Sequence, residues 1–190
     1  MRLTILKNCV IILKTKVDTI GKNMQPNIID EKFMRKAILQ AQKAEKLGEV
    51  PIGAIIVHDG KIIARAHNLR QTTKDATAHA EILAIKKASK KLGTWHLVDC
   101  TLYVTLEPCP MCSGAIINSR LKRVVYGAPD PKAGCCGTFY NLPMDTRFNH
   151  RPQEVISGVL HDECARLLTN FFATIRKSKA GMKITQQNDE

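Results

Sequence analysis

The chain contains no apolar run approaching the roughly 18 residues that a membrane-spanning helix needs, so it reads as soluble, with no membrane partner. It lacks a disulfide framework: seven cysteines cannot all pair. Cys9, Cys100 and Cys164 lie far apart in apolar settings where a buried free thiol is ordinary. Cys109 and Cys112 form a C-x-x-C, and no second C-x-x-C completes a closed four-ligand structural metal site. Cys135 and Cys136 are adjacent, a poor geometry for joint ligation, and read as loop or core thiols. Internal repeats and linkers are also missing, and 190 residues at 44% hydrophobic suit one compact domain. Acidic side chains are scarce, 17 against 29 Lys and Arg, for a formal net charge of +12. That excess raises the prior for a polyanionic partner, because neutralising phosphates releases counterions. Charge alone does not decide it.

Residues 1–23 carry Arg2, Lys7, the short apolar run from Cys9 to Leu13, then Lys14 and Lys16. A secretory signal needs a longer apolar stretch and a small-residue cleavage site. An organelle transit peptide fits the basic, acid-poor character loosely, but serine is absent. The plainer readings are an extension or a start assigned too early, with Met24 as an alternative first residue.

Downstream, Asp30 is expected to cap a helix from about Glu31 to Leu47, with apolar residues at three- and four-residue spacing and Gly48 as its stop. Ile52–His58 and Lys61–Ala66 read as strands joined by an Asp59-Gly60 hairpin turn. Helices are expected at His79–Lys91, Cys109–Arg120 and Asp162–Lys177, and strands at Thr101–Leu106, Arg123–Gly127 and Val155–Leu160. Residues 178–190 read as a polar tail. Strands alternating with helices late in the chain imply parallel crossovers, while the opening hairpin is antiparallel. The expectation is one mixed sheet with helices on both faces.

Chemistry concentrates in His79-Ala-Glu81 and Pro108-Cys-Pro-Met-Cys112. Imidazole and two thiolates supply three tetrahedral zinc ligands, and a catalytic zinc keeps its fourth position open. Cys109 and Cys112 fall in the first turn of a helix, whose positive end favours thiolates. Glu81 lies two residues from His79, about 200° around a helix, so it reaches the same point only if His79 sits at the helix start. A carboxylate there need not be a ligand; it can take a proton from water and return it to a substrate nitrogen. Each fragment alone reads as an ordinary helix start, but H-x-E followed by P-C-x-x-C is the pattern of zinc nucleobase deaminases.

Thr77-Ala-His-Ala-Glu81, Thr105-Leu-Glu-Pro-Cys-Pro-Met-Cys-Ser-Gly-Ala115 and Arg123-Val-Val-Tyr-Gly127 resemble the bacterial tRNA-specific adenosine deaminase family. So do Gly48-Glu-Val-Pro-Ile-Gly53, Asn149-His150, Asp162-Glu-Cys-Ala-Arg-Leu-Leu168 and Phe171-Phe172, and the resemblance spans about residues 30–177. It implies an α/β fold of the cytidine deaminase-like kind, three layers (α/β/α) around one mixed sheet. It also implies a cytoplasmic homodimer with one zinc ion per subunit. The implied reaction converts adenosine to inosine at the wobble position, 34, of an arginine tRNA anticodon. By position, His79, Cys109 and Cys112 bind zinc, Glu81 is the catalytic proton donor, and Asn68 contacts the base. Asn68 by itself reads as a turn residue. Residues 28–177 then form the cytidine/deoxycytidylate deaminase-type zinc domain, with 1–27 an extension and 178–190 a tail. Lys86, Lys87, Lys90, Lys91, Arg120, Lys122 and Arg123 are candidates for phosphate contact, although each alone reads as solvated surface. The rival readings are a deaminase of a free purine such as guanine and a non-catalytic, zinc-stabilised RNA-binding module.

Overall fold

The computed structural model describes the backbone of residues 28–187 and side chains as far as residue 178. Cys9, Met24 and the readings placed on residues 1–23 lie outside the described residues. Helix α1 (Ile28–Lys46) is followed by strands β1 (Gly53–His58) and β2 (Lys61–His67), then by a short helix α2 (Arg70–Thr73), absent from the sequence reading. Helix α3 (Ala80–Leu92), strand β3 (Cys100–Leu106), helix α4 (Pro110–Asn118) and strand β4 (Arg123–Ala128) come next. A 3₁₀ turn at Leu142–Met144, strand β5 (Glu154–Ile156) and helix α5 (His161–Gln187) complete the chain.

The five strands form one sheet in the order β2-β1-β3-β4-β5. β1 is antiparallel to β2 and β3, while β3, β4 and β5 run parallel. The hairpin closes as expected: Asp59 (φ 47°) and Gly60 (φ 69°) both adopt the left-handed conformation that matches strand twist. Alternation along the strands sorts the core into two layers. Ile55, Val57, Tyr103 and Val125 pack with Phe33, Met34, Ala37 and Ile38 of α1 and Cys164 of α5. Ala54, Ile56, Leu102, Val104 and Val124 face Ala80, Ala84 and Ala88 of α3 and Ile116 of α4. The arrangement is the expected three-layer α/β/α fold.

Three boundaries differ from the sequence reading. Asp30 is no cap; it lies inside α1, only 1% exposed, and accepts hydrogen bonds from the Arg123 guanidinium (2.7 and 2.8 Å) and the Tyr103 hydroxyl (2.8 Å). The last strand shrinks to three residues because the chain turns away at Gly158 (φ 81°) and Leu160 (φ 53°). Helix α5 stays helical to Gln187, beyond the expected end at Lys177, with no glycine or proline break before Gly181.

Candidate active site

Two helix starts converge at one end of the sheet. His79 and Cys109 occupy the residues just before α3 and α4, in extended conformation (φ −74°, ψ 150° and φ −74°, ψ 175°), and neither side chain caps its own helix. A Ser or Asp at such a position would stabilise the helix by about 1 kcal/mol. Here the side chains turn to each other instead. His79 Nδ1 lies 3.7 Å from Cys109 Sγ and 3.5 Å from Cys112 Sγ, and all three donor atoms fall within 4.8 Å of one another. Pro110 at the first position of α4 pre-sets its backbone, and Cys112 is fully buried one turn in.

The three donors share protons. The hydrogen bond from Cys112, with help from His79, pulls the Cys109 thiol down to about 4. The same bond and burial push Cys112 up, and the bond with Cys109 raises His79. Such a triangle of soft donors, one of them readily ionised beside the positive ends of two helices, fits a metal cation of the zinc kind. Glu81 adjoins it from the first turn of α3, 4% exposed, and burial pushes its carboxyl up to about 7. Its Oε2 has no hydrogen-bond partner among the described residues, although it is buried. That orphaned atom belongs to a site that expects a partner from outside the chain. The sequence reading opens the helix at His79; His79 instead lies one residue before it, in extended conformation, which lets its ring turn to the thiols while Glu81 approaches from the first turn.

The site opens into a cleft of about 900 Å³ beyond the carboxyl ends of β3 and β4. Asn68, 2% exposed, stands in its wall with His79, Glu81 and Cys109. Val50 and Ile52 lie before β1, Pro129–Ala133 follow β4, and Leu168, Phe172 and Arg176 project from α5. Glu107 secures the loop after β4: its carboxyl accepts hydrogen bonds from the backbone N–H of Asp130 (3.0 Å), Cys136 (2.8 Å) and Thr138 (3.0 Å), and from the Thr138 hydroxyl. Burial opposes its ionisation, but the bonds from Thr138, Asp130 and Cys136 hold the carboxyl below the usual carboxylate range. Cys135 and Cys136 are buried in this loop and are not among the three donors that could hold a metal.

The basic side chains divide between the cleft and the rest of the surface. None of the seven basic residues singled out in the sequence lines the cleft. Lys86 to Lys91 lie toward the far end of α3; Lys90, ten residues beyond Ala80, is about 15 Å along the axis. Arg123 is committed to Asp30 and Glu154, Lys87 donates to the Arg65 carbonyl, and Arg120 lies 5.6 Å over the Trp95 ring. The cations on the cleft wall are Arg70, Lys132 and Arg176. Sequence reasoning missed them, along with Glu49 and the anchoring role of Glu107, because isolated residues from distant loops form no local pattern.

A His–Cys–Cys triangle at the floor of a cleft, with a buried carboxyl beside it at one end of this mixed sheet, defines the class: a hydrolytic deaminase of the cytidine deaminase-like fold. The MafB19-like deaminase family matches residues 28–176. The tRNA-specific adenosine deaminase of Bacillus subtilis (strain 168) is 59% identical over 150 residues, 79% of this chain and 92% of that protein. A solved structure from work on A-to-I editing by tRNA:A34 deaminases at the wobble position is 43% identical with a TM-score of 0.69, covering 72% of this chain and 99% of that one. A Bacillus subtilis guanine deaminase structure is 49% identical with a TM-score of 0.51, over 52% of this chain and 64% of that one. The chain belongs to the tRNA-specific adenosine deaminase family, within the MafB19-like deaminases.

Proposed function

We infer that this protein deaminates adenosine 34 of a tRNA anticodon to inosine, using water and releasing ammonia. The observation that carries the chemistry is the orphaned Glu81 carboxyl oxygen beside the three soft donors. His79, Cys109 and Cys112 would hold one zinc ion per subunit. Bound there, zinc supplies Lewis acidity, which makes water a competent nucleophile near neutral pH. Glu81 takes one proton of the attacking water at its free oxygen and delivers it to the ring nitrogen. It then carries the second, from the new hydroxyl on the attacked carbon, to the amine, which departs as ammonia and leaves a carbonyl. Burial raises its carboxyl above the usual carboxylate range, which suits a group that both takes and gives protons. Asn68 would hold the base edge, with Val50, Ile52, Leu106 and Ala128 supplying apolar surface in the same cleft.

The relatives named as tRNA-specific deaminases and the cations on the cleft wall favour an RNA loop over a free purine. An unstacked loop base also enters a closed pocket at less cost than one drawn from a duplex. An arginine tRNA is the species that the family resemblance implies. A cytoplasmic homodimer is what the family resemblance implies, and no described helix is long and apolar enough to cross a membrane.

The guanine deaminase likeness makes the rival specific, and salt distinguishes the two. Each phosphate contact on a single strand adds roughly 0.7 to the slope of log affinity against log salt, whereas a free purine binds through the pocket alone. Activity measured on an anticodon stem-loop and on free adenine, adenosine and guanine across a salt series should be efficient and salt-sensitive on the stem-loop only. Salt-insensitive deamination of a free purine, with none on the stem-loop, would overturn the tRNA assignment.

A further inference from the structure

The Gly48-Glu-Val-Pro-Ile-Gly53 segment belongs to the family pattern, yet none of its side chains has a part in the chemistry above. Its acid is placed unusually. Gly48 (φ 74°) ends α1 and turns the chain inward, and Glu49 is 1% exposed. A buried carboxyl is costly unless its oxygens are used. Among the described residues Glu49 forms no ion pair, and both oxygens are spent on the wall of the cleft. Its Oε2 accepts from Asn68 Nδ2 at 3.1 Å, and its Oε1 accepts from the backbone N–H of Thr72 in α2 at 2.7 Å.

We propose that Glu49 is a positioning residue for substrate: it fixes the side-chain amide of Asn68 so that one end only is offered to the base. This rests on the reading of Asn68 as a base contact. The two ends of an asparagine amide are nearly equal in size and opposite in hydrogen-bonding sense, so shape alone does not choose between them; the partner does. A carboxyl facing a backbone N–H with one oxygen and the amide with the other is an acceptor on both sides. It therefore selects the NH₂ end of Asn68, since the other orientation sets two oxygens face to face in a buried place with no donor between them. The backbone is pinned as well: Asn68 N–H donates to the Ile52 carbonyl (3.0 Å) and Leu69 N–H to the Ala78 carbonyl (3.0 Å), just before His79. Through Thr72 the same acid holds α2, whose first residue, Arg70, lines the cleft. One buried acid thus ties the base-facing amide to a cation at the mouth. A base that meets the wrong end of Asn68 is bound but misaligned, which lowers turnover more than binding.

The test is a double-mutant cycle on the zinc-loaded full chain. Glu49→Gln keeps the shape, but if its oxygen serves Thr72 its NH₂ group confronts the Asn68 NH₂ and makes the amide turn. On an anticodon stem-loop, Glu49→Gln is expected to lower kcat about 10–100-fold with KM within about 3-fold. In an Asn68→Ala background the same change should alter kcat by less than about 3-fold, because no amide is left to orient. Zinc content and Tm are read on every variant, and if Glu49→Gln does not fold, Glu49→Asp is carried through the same cycle. An equal fall in both backgrounds would mean that Glu49 supports the fold and not the amide, overturning the proposal, as would wild-type turnover by Glu49→Gln. Full activity of Asn68→Ala would remove the amide from the site and overturn the base-contact reading too. Failure confined to Glu49 leaves that reading standing.

Discussion

Glu81 and Cys112 sit in the same buried corner but do different work, and their variants should part company. The orphaned Oε2 of Glu81 is a burden on stability, since an unsatisfied buried acceptor typically costs about 1–3 kcal/mol. Glu81→Gln keeps the shape and leaves the same buried end without a partner, so it should keep the metal and hold Tm, while turnover falls ~10²–10⁴-fold with the loss of a group that serves more than one proton transfer. Cys112→Ala removes a donor that joins the starts of two helices, so metal content and Tm should fall together. Elemental analysis alongside thermal melts separates the cases. Full zinc in Cys112→Ala would break the proposed ligand set, and near-normal rates in Glu81→Gln would remove it from the mechanism.

At the scale of elements, α1 is attached to the sheet by a polar lock and a close approach. The lock is Asp30 with Arg123 of β4 and Tyr103 of β3, and Arg123 continues to Glu154 of β5. Burial opposes ionisation of Asp30, but the bonds from Arg123 and Tyr103 outweigh it and hold its carboxyl below the usual range. A depressed acid contributes stability above its unfolded value, near 3.9, and loses it as pH falls through the folded value. Asp30→Asn should lower stability at neutral pH by about 3 kcal/mol, or roughly 6–12 °C in Tm, and the gap from wild type should close below about pH 3.9. A gap unchanged at low pH would show that the lock works by shape and not charge. The close approach is at Gly53, where a Cβ would stand 2.2 Å from the Ala37 carbonyl oxygen and 2.3 Å from the Ala41 nitrogen. Because backbone and not a flexible side chain is in the way, Gly53→Ala should push α1 off β1 and cost about 1–3 kcal/mol in a denaturant melt. A neutral result would mean that the helix rides more loosely than its packing indicates.

At the scale of the whole molecule, the buried residues of both core layers run, among the described residues, from Phe33 onward. A chain beginning at Met24 should therefore fold and deaminate like the full chain. Loss of soluble, active protein on that truncation would show that the preceding residues belong to the domain. The +12 charge is spread more widely than the cleft: the lysines of α3 lie away from it, and three cations from three separate segments reach its wall. Substrate affinity should accordingly depend more on Arg70, Lys132 and Arg176 than on the numerous lysines of α3.

Local signals were legible wherever the physics is local. Alternation named the strands, Asp59-Gly60 named the hairpin, and H-x-E followed by P-C-x-x-C matched the pattern of zinc deaminases. Cys109 and Cys112 converge locally, one turn apart at a helix start, whereas His79 meets Cys109 across 30 residues only because the fold joins two helix starts. The sequence by itself thus pointed to most of the secondary elements, the three-layer class, the candidate donors and the family, but not to α2 or to the end of the last strand. Tertiary structure decided the rest. Asp30 looked like a cap because its neighbours along the chain allow it; its partners, Tyr103 and Arg123, are 73 and 93 residues away. Glu49 meets Asn68 across 19 residues, and Glu107 holds a loop that begins 23 residues later. A buried acid is defined by the donors that surround it, and those arrive only when the sheet has brought distant segments together.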